Sequence, residues 1–214
     1  MKIRKHETRG VVQSPRTEKI ISYRSFDCMS YQAPEYPDWG PIDTINDDHT
    51  QPGFITTWHS HLNLDILGYV IKGEVHHIDN QGNDVIARAG QVQHMWCGSG
   101  IWHTEGNDAE QDNRYLQIWI RPDHKSTVPP FYELVDRNPN FSKLPIDFKN
   151  SSIEVWAGNL TEQMTLNNAS YLLVLEGSCT VNDYVLNEGD ALDIDEPAMI
   201  TSNNNAHVIL FKLI

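Results

Sequence analysis

The sequence predicts an all-β fold built as two tandem barrels, the second one short, and three observations carry that prediction. Short runs rich in β-branched and aromatic residues recur, Gly, Asn, Asp and Pro punctuate them, and one pattern returns in order in the second half of the chain. The runs include Phe54-Ile55-Thr56-Thr57-Trp58, Leu67-Gly68-Tyr69-Val70-Ile71 and Tyr115-Leu116-Gln117-Ile118-Trp119-Ile120, while segments of helical period are scarce. Between them, Asp79-Asn80-Gln81-Gly82-Asn83 has the composition of a hairpin loop, with Gly82 free to take a positive φ. For the repeat, Val70-Ile71-Lys72-Gly73-Glu74 resembles Val174-Leu175-Glu176-Gly177-Ser178, and Ala89-Gly90-Gln91 resembles Glu188-Gly189-Asp190. The hairpin between the two glycines is five residues shorter in the second copy.

A Pro-rich stretch from Arg121-Pro122 to Pro129-Pro130 interrupts the strand pattern. Asn138-Pro139-Asn140 and Leu144-Pro145 prolong the interruption until apolar runs return near Val155. This places a boundary between an N-terminal domain, residues 1–128, and a C-terminal domain, residues 129–214.

At 214 residues and 39% apolar content the chain can bury a sizeable core. Asp and Glu outnumber Lys and Arg by 29 to 16, giving a net charge of −13, so the long-range field repels phosphate backbones and anionic membrane surfaces. Direct nucleic-acid or membrane partners are therefore not expected. The basic start, Met1-Lys2-Ile3-Arg4-Lys5-His6-Glu7, is not followed by the apolar core of a signal peptide, and no run approaches the roughly eighteen apolar residues of a membrane span. A soluble, cytoplasmic protein is the expectation. Cys28, Cys97 and Cys179 are odd in number and lack a Cys-x-x-Cys pair, which predicts buried free thiols.

Chemistry concentrates in His59-Ser60-His61 and His103-Thr104-Glu105. In a strand, residues i and i+2 point to one face, so two strands can deliver all four side chains into a single barrel lumen. Neutral imidazole and carboxylate suit a borderline divalent ion, and three His with one Glu leave an octahedral ion two open positions, unlike a closed tetrahedral zinc site. An isolated His-x-His among ten histidines would be surface decoration; the paired His-x-Glu is what raises it to a candidate site. His76 and His77 are adjacent and must face opposite sides of a strand, and with His6, His49 and His124 they read as surface residues. His94 and His207 have no second ligand at i+2 and read as facing a core or a partner. Counting from the glycines of the second copy, Gln163, Thr165, Ser202 and Asn204 stand where ligands would, which predicts a metal-free second barrel serving packing or substrate enclosure.

Gly53-x5-His59-x-His61-x3-Asp65-x7-Gly73 and Gly90-x7-Gly98-x-Gly100-x2-His103-x-Glu105 resemble the two cupin signatures in their pirin form. Further similar text lies in Ile45-Asn46-Asp47-Asp48, Val75 to Asn83 and Leu116 to Ile120, dense from about Gly40 to Glu133 and looser from Gly177 to Leu213. The resemblance implies a bicupin in which His59, His61, His103 and Glu105 hold one divalent metal. Iron(II) stands foremost, with manganese, nickel, cobalt, copper and zinc as alternatives. Some pirins cleave the flavonol quercetin with dioxygen, so it also implies a small aromatic substrate, with Glu105 as catalytic base. Departures from the family pattern are Ser60 and Asp65, where pirins commonly carry Pro and Glu, and Ala89-Gly90-Gln91, where Pro-Gly-Asp is usual. Asp65 reads as a supporting or structural carboxylate rather than a ligand.

Three functions follow. The first is a dioxygenase with an aromatic pocket to which Tyr69, Trp96 and Trp102 are candidates, although large side chains near barrel strands more often pack in the core. The second is an iron-binding, redox-sensing module that contacts a regulatory protein partner. The third is a cupin that keeps its ligands without activity. Oxygen consumption with flavonols discriminates the first from the others.

Overall fold

The computed structural model describes residues 1–13, 18–28, 31–125, 128–148 and 151–214, and these form twenty strands and a single 3-10 turn. In chain order the strands are β1 (Lys2–Arg4), β2 (Gly10–Gln13), β3 (Ile20–Arg24), β4 (Ile42–Thr50), β5 (Phe54–Ile55), β6 (His59–His61) and β7 (Asp65–Lys72). Next come β8 (Glu74–Asp79), β9 (Asp84–Arg88), β10 (Gln91–Trp96), β11 (Ile101–Asn107), β12 (Asn113–Ile120) and β13 (Phe131–Asp136). The remainder are β14 (Ser142–Lys143), β15 (Ile153–Asn159), β16 (Met164–Leu166), β17 (Ser170–Val181), β18 (Tyr184–Asn187), β19 (Ala191–Ile194) and β20 (Ala198–Leu213). The all-β expectation holds, and all the strand pairs are antiparallel.

Two compact units emerge: a central one, Gly10–Asp136 with Lys149–Ser151, and a terminal one, Met1–Arg9, Arg137–Phe148 and Ser152–Ile214. In the central unit a seven-stranded sheet runs β13-β10-β7-β12-β4-β3-β2, and a five-stranded sheet runs β5-β11-β8-β9 with β6 also on β11. In the middle of the larger sheet, β7 buries apolar side chains on both faces, Leu67 and Tyr69 on one and Ile66 and Val70 on the other, while β12 buries Leu116, Ile118 and Ile120 on one face. The terminal unit is an eight-stranded sheet, β1-β19-β17-β20-β15-β14 with β16 on β20 and β18 on β17. Leu172, Val174, Leu186, Ile194, Ile200 and Val208 form its core.

The units differ at both ends from a division into 1–128 and 129–214. β1 pairs with β19, Ile3 opposite Leu192, while the Met1 ammonium lies 2.6 Å from Asp195 and Lys5 Nζ 2.8 Å from Asp190. β13 returns to β10, His94 opposite Glu133. A strand segregates with the edge it hydrogen-bonds, not with its sequence neighbours, and β1 and β13 each cover an edge that would otherwise be open.

The repeat is visible in the backbone. Gly73 and Gly177 take φ of 72° and 74°, and Gly90 and Gly189 take 92° and 80°, conformations that glycine adopts without strain. The Gly90 N–H donates to the Val70 carbonyl and the Gly189 N–H to the Val174 carbonyl, so one hairpin closure occurs in both units.

Candidate metal centre

β6 and β11 lie side by side with His61 opposite Ile101, Ser60 opposite Trp102 and His59 opposite His103. Strand alternation turns Ser60 and Trp102 outward, and the three imidazoles meet on the inner face with ring centroids 4.3 to 5.2 Å apart. Their donor nitrogens lie within 4.8 Å of one another. His59 Nδ1 donates to the Thr57 carbonyl at 2.8 Å, the arrangement that frees Nε2 as the lone-pair nitrogen. The Nε2 atoms of His61 and His103 are buried without a hydrogen-bond partner. Burial, with His59 adding to it, pushes the His61 pKa down to about 4 and that of His103 to about 2, so both rings are neutral, the form a metal requires. Unpartnered lone pairs on neutral, converging rings fit a divalent cation.

Glu105 is also inward and buried, and its donor atoms group with those of His103 and His77. Gln93 Nε2 donates to Oε2 at 3.3 Å and Gln117 Nε2 donates to Oε1. Burial, then the neighbouring Asp48, pushes the carboxyl up to about 7. Gly68 makes this support possible: a Cβ there would fall 2.3 Å from Gln93 Nε2.

His59, His61 and Glu105 border a cavity of about 330 Å³. Phe54, Tyr115 and Trp119 give it aromatic walls, and Arg24, Asn46 and Gln117 give it polar ones. Arg24 Nε and Nη1 are buried there without a hydrogen-bond partner. None of the three candidate aromatic residues borders this cavity. Tyr69 and Trp96 pack in the core, with Trp96 Nε1 donating to the Val128 carbonyl at 3.0 Å, and Trp102 lies outside, 53% exposed.

His77 is a correction. It was expected at the surface, but adjacency fixes only that His76 and His77 face opposite ways. His76 takes the outer side, its nitrogens 2.5 Å from Asp108 and 2.7 Å from Asp84, and His77 is buried behind His103. The missed signal is His77-x-Asp79, which has the i, i+2 spacing used for the other pairs. Asp65 proves structural: it accepts from His94 Nε2 at 2.7 Å, while His94 Nδ1 lies 2.7 Å from Glu133. Cys28, Cys97 and Cys179 are buried free thiols. Both groups of possible metal donors found among the described residues lie in the central unit.

Known proteins share this framework. A protein from Escherichia coli K12 named quercetin 2,3-dioxygenase is 30% identical over 211 residues, covering 91% of each chain. A pirin-like protein of Caulobacter vibrioides is 31% identical over 194 residues, 82% of this chain and 84% of that one. The crystal structure of YhhW from Escherichia coli superposes with a TM-score of 0.89 at 26% identity, covering 100% of this chain and 97% of that one. The same bacterial pirin in complex with nickel(II) gives 0.88, covering 99% and 98%. The family model described as quercetinase C-terminal cupin domain matches residues 151–213, and the one described as Pirin matches residues 5–120, over half the sequence. With two barrels, a duplicated hairpin and an inward His-x-His facing His-x-Glu, this chain belongs to the pirin family.

Proposed function

We propose that the central unit holds one divalent metal, iron(II) foremost, through His59, His61, His103 and Glu105, and that the protein is a dioxygenase opening a flavonol such as quercetin. The observation that carries this reading is the convergence of His59, His61 and His103, the last two with buried, unpartnered Nε2 atoms, beside an aromatic-lined cavity that His59 and His61 border. Relatives named quercetin 2,3-dioxygenase and a nickel-bound pirin support it. When bound, the ion supplies Lewis-acid polarisation and open positions for substrate and dioxygen.

The chain's own residues supply the rest. Phe54, Tyr115 and Trp119 offer flat apolar faces to an aromatic ring, which orients it and excludes water. Glu105 borders the cavity and supplies the carboxylate that would take the flavonol hydroxyl proton. Gln93 and Gln117 hold that carboxylate in place, and Arg24 is available to the resulting oxyanion. The test is oxygen consumption by metal-loaded protein across a flavonol panel, normalised to bound metal. Flavonol-dependent uptake supports the reading, and its absence at full occupancy removes the dioxygenase assignment.

A second reading, a redox-sensing module that docks a regulatory protein, draws on Trp58, Leu62 and Trp102. Each is more than half exposed and each sits next in sequence to one of the three histidines. Retained metal without flavonol turnover would favour it.

A further inference from the structure

We propose that His77, anchored by Asp79, is a positioning residue that fixes His103 in the tautomer with its proton on Nδ1 and its lone pair on Nε2. This rests on the reading of His103 as a metal ligand and adds what makes that ligand ready.

β8 and β11 pair with His103 opposite Asp79 and Glu105 opposite His77, so alternation puts all four side chains on the inner face. His103 Nδ1 lies 3.4 Å from His77 Nδ1, and His77 Nε2 lies 3.1 Å from Asp79 Oδ2. The direction of this chain is decided at its far end. Asp79 Oδ1 accepts from the backbone N–H groups of Gln81 and Asn83 at 2.9 and 3.1 Å, and Oδ2 accepts from Asn83 Nδ2 at 2.8 Å. Burial opposes the charge of Asp79, but the hydrogen bonds from Asn83 and His77 outweigh it and hold the carboxyl below its usual range.

An ionised carboxylate only accepts, so His77 Nε2 must carry the proton. A proton on His103 Nε2 would be a buried donor with no acceptor, so it belongs on Nδ1, where the lone pair of His77 Nδ1 accepts it. His103 Nδ1 must then donate, which leaves Nε2, the buried and unpartnered atom, as the lone pair facing His59 and His61. Tyr132, stacked on His77 with centroids 4.5 Å apart and planes 21° from parallel, fixes the ring plane. Partners behind a ligating histidine set tautomer and orientation in this way in metal sites generally.

The experiment is two-bond proton–nitrogen correlation NMR on the metal-free protein, paired with nickel(II) titration. Wild type should show His103 protonated on Nδ1. His77→Leu should lose that preference and bind nickel about 10- to 100-fold more weakly, and His77→Gln, whose carbonyl can accept from Nδ1, should recover most of both. If His77→Leu does not fold, Asp79→Asn decides. Its carbonyl stays with the turn amides, its NH2 faces His77 Nε2, the chain reverses, and the His103 proton moves to Nε2 with loss of affinity. A wild-type His103 protonated on Nε2 overturns the proposal, as does an unchanged tautomer and affinity in His77→Leu. Failure of His77→Gln to recover affinity would make His77 a ligand instead. Wild type that binds no nickel would refute the metal site, while the tautomer readout would still decide the relay.

Discussion

Of His61, His103 and Glu105, Glu105 is the one whose proton a metal must displace near neutrality, because burial holds its carboxyl near 7 while His61 and His103 are already neutral. As pH falls through 7 the protonated fraction rises, so Glu105's share of metal affinity should fall by about tenfold per pH unit below that point and be flat above it. Calorimetry in buffers of different ionisation enthalpy should detect that proton leaving near pH 7, and Glu105→Gln should abolish its release. Glu105→Gln should also lose turnover by far more than it loses metal, since an amide oxygen still coordinates weakly but an amide is no useful base. Metal content and flavonol turnover on the same preparations check this, and full activity per bound metal would remove the base role. At this scale the sequence was readable wherever a spacing rule applied. His59, His61 and His103 converge, and Glu105 groups with His103 and His77, because period two is a property of strands, and His77-x-Asp79 obeys the same rule. Which of two adjacent histidines turns inward depends on strand register, and register is not local information.

Strands position these groups, and two contacts between them should be measurable. A Cβ at Gly68 would overlap the Gln93 side chain that supports Glu105, so Gly68→Ala should weaken metal binding and turnover through a residue that touches neither metal nor substrate. Unchanged metal affinity in that variant would show that Gln93 can be displaced freely. In the larger sheet, β10 inserts His94 between Asp65 of β7 and Glu133 of β13. His94→Ala would leave buried Asp65 without its imidazole partner and should cost about 3–5 kcal/mol in denaturant unfolding, whereas His76→Ala, on a partly exposed ring, should cost far less. Strand identity was legible from runs such as Tyr115 to Ile120. The pairing of His94 with Asp65 was not, since these residues stand 29 apart in sequence and meet only once β7 and β10 are neighbours.

Over the whole molecule, the duplicated hairpin explains why a second barrel is recognisable, although Gln163 and Thr165, which counting from its glycines puts at ligand positions, are exposed on either side of Met164. Gly73 and Gly177 were recognisable because a positive φ restricts the residue type, whereas the placement of β1 in the terminal unit depends on edge pairing between distant segments. The acidic balance of the chain, −13, and the neutral imidazoles suit a cation-binding centre. The central claim is that one metal is held by His59, His61, His103 and Glu105, and elemental analysis of protein purified without added metal or chelator tests it most directly. Wild type, His76→Ala and His124→Ala should each carry close to one divalent ion per chain, and His59→Ala and His103→Ala should carry little. Undiminished metal in both His59→Ala and His103→Ala would contradict the account.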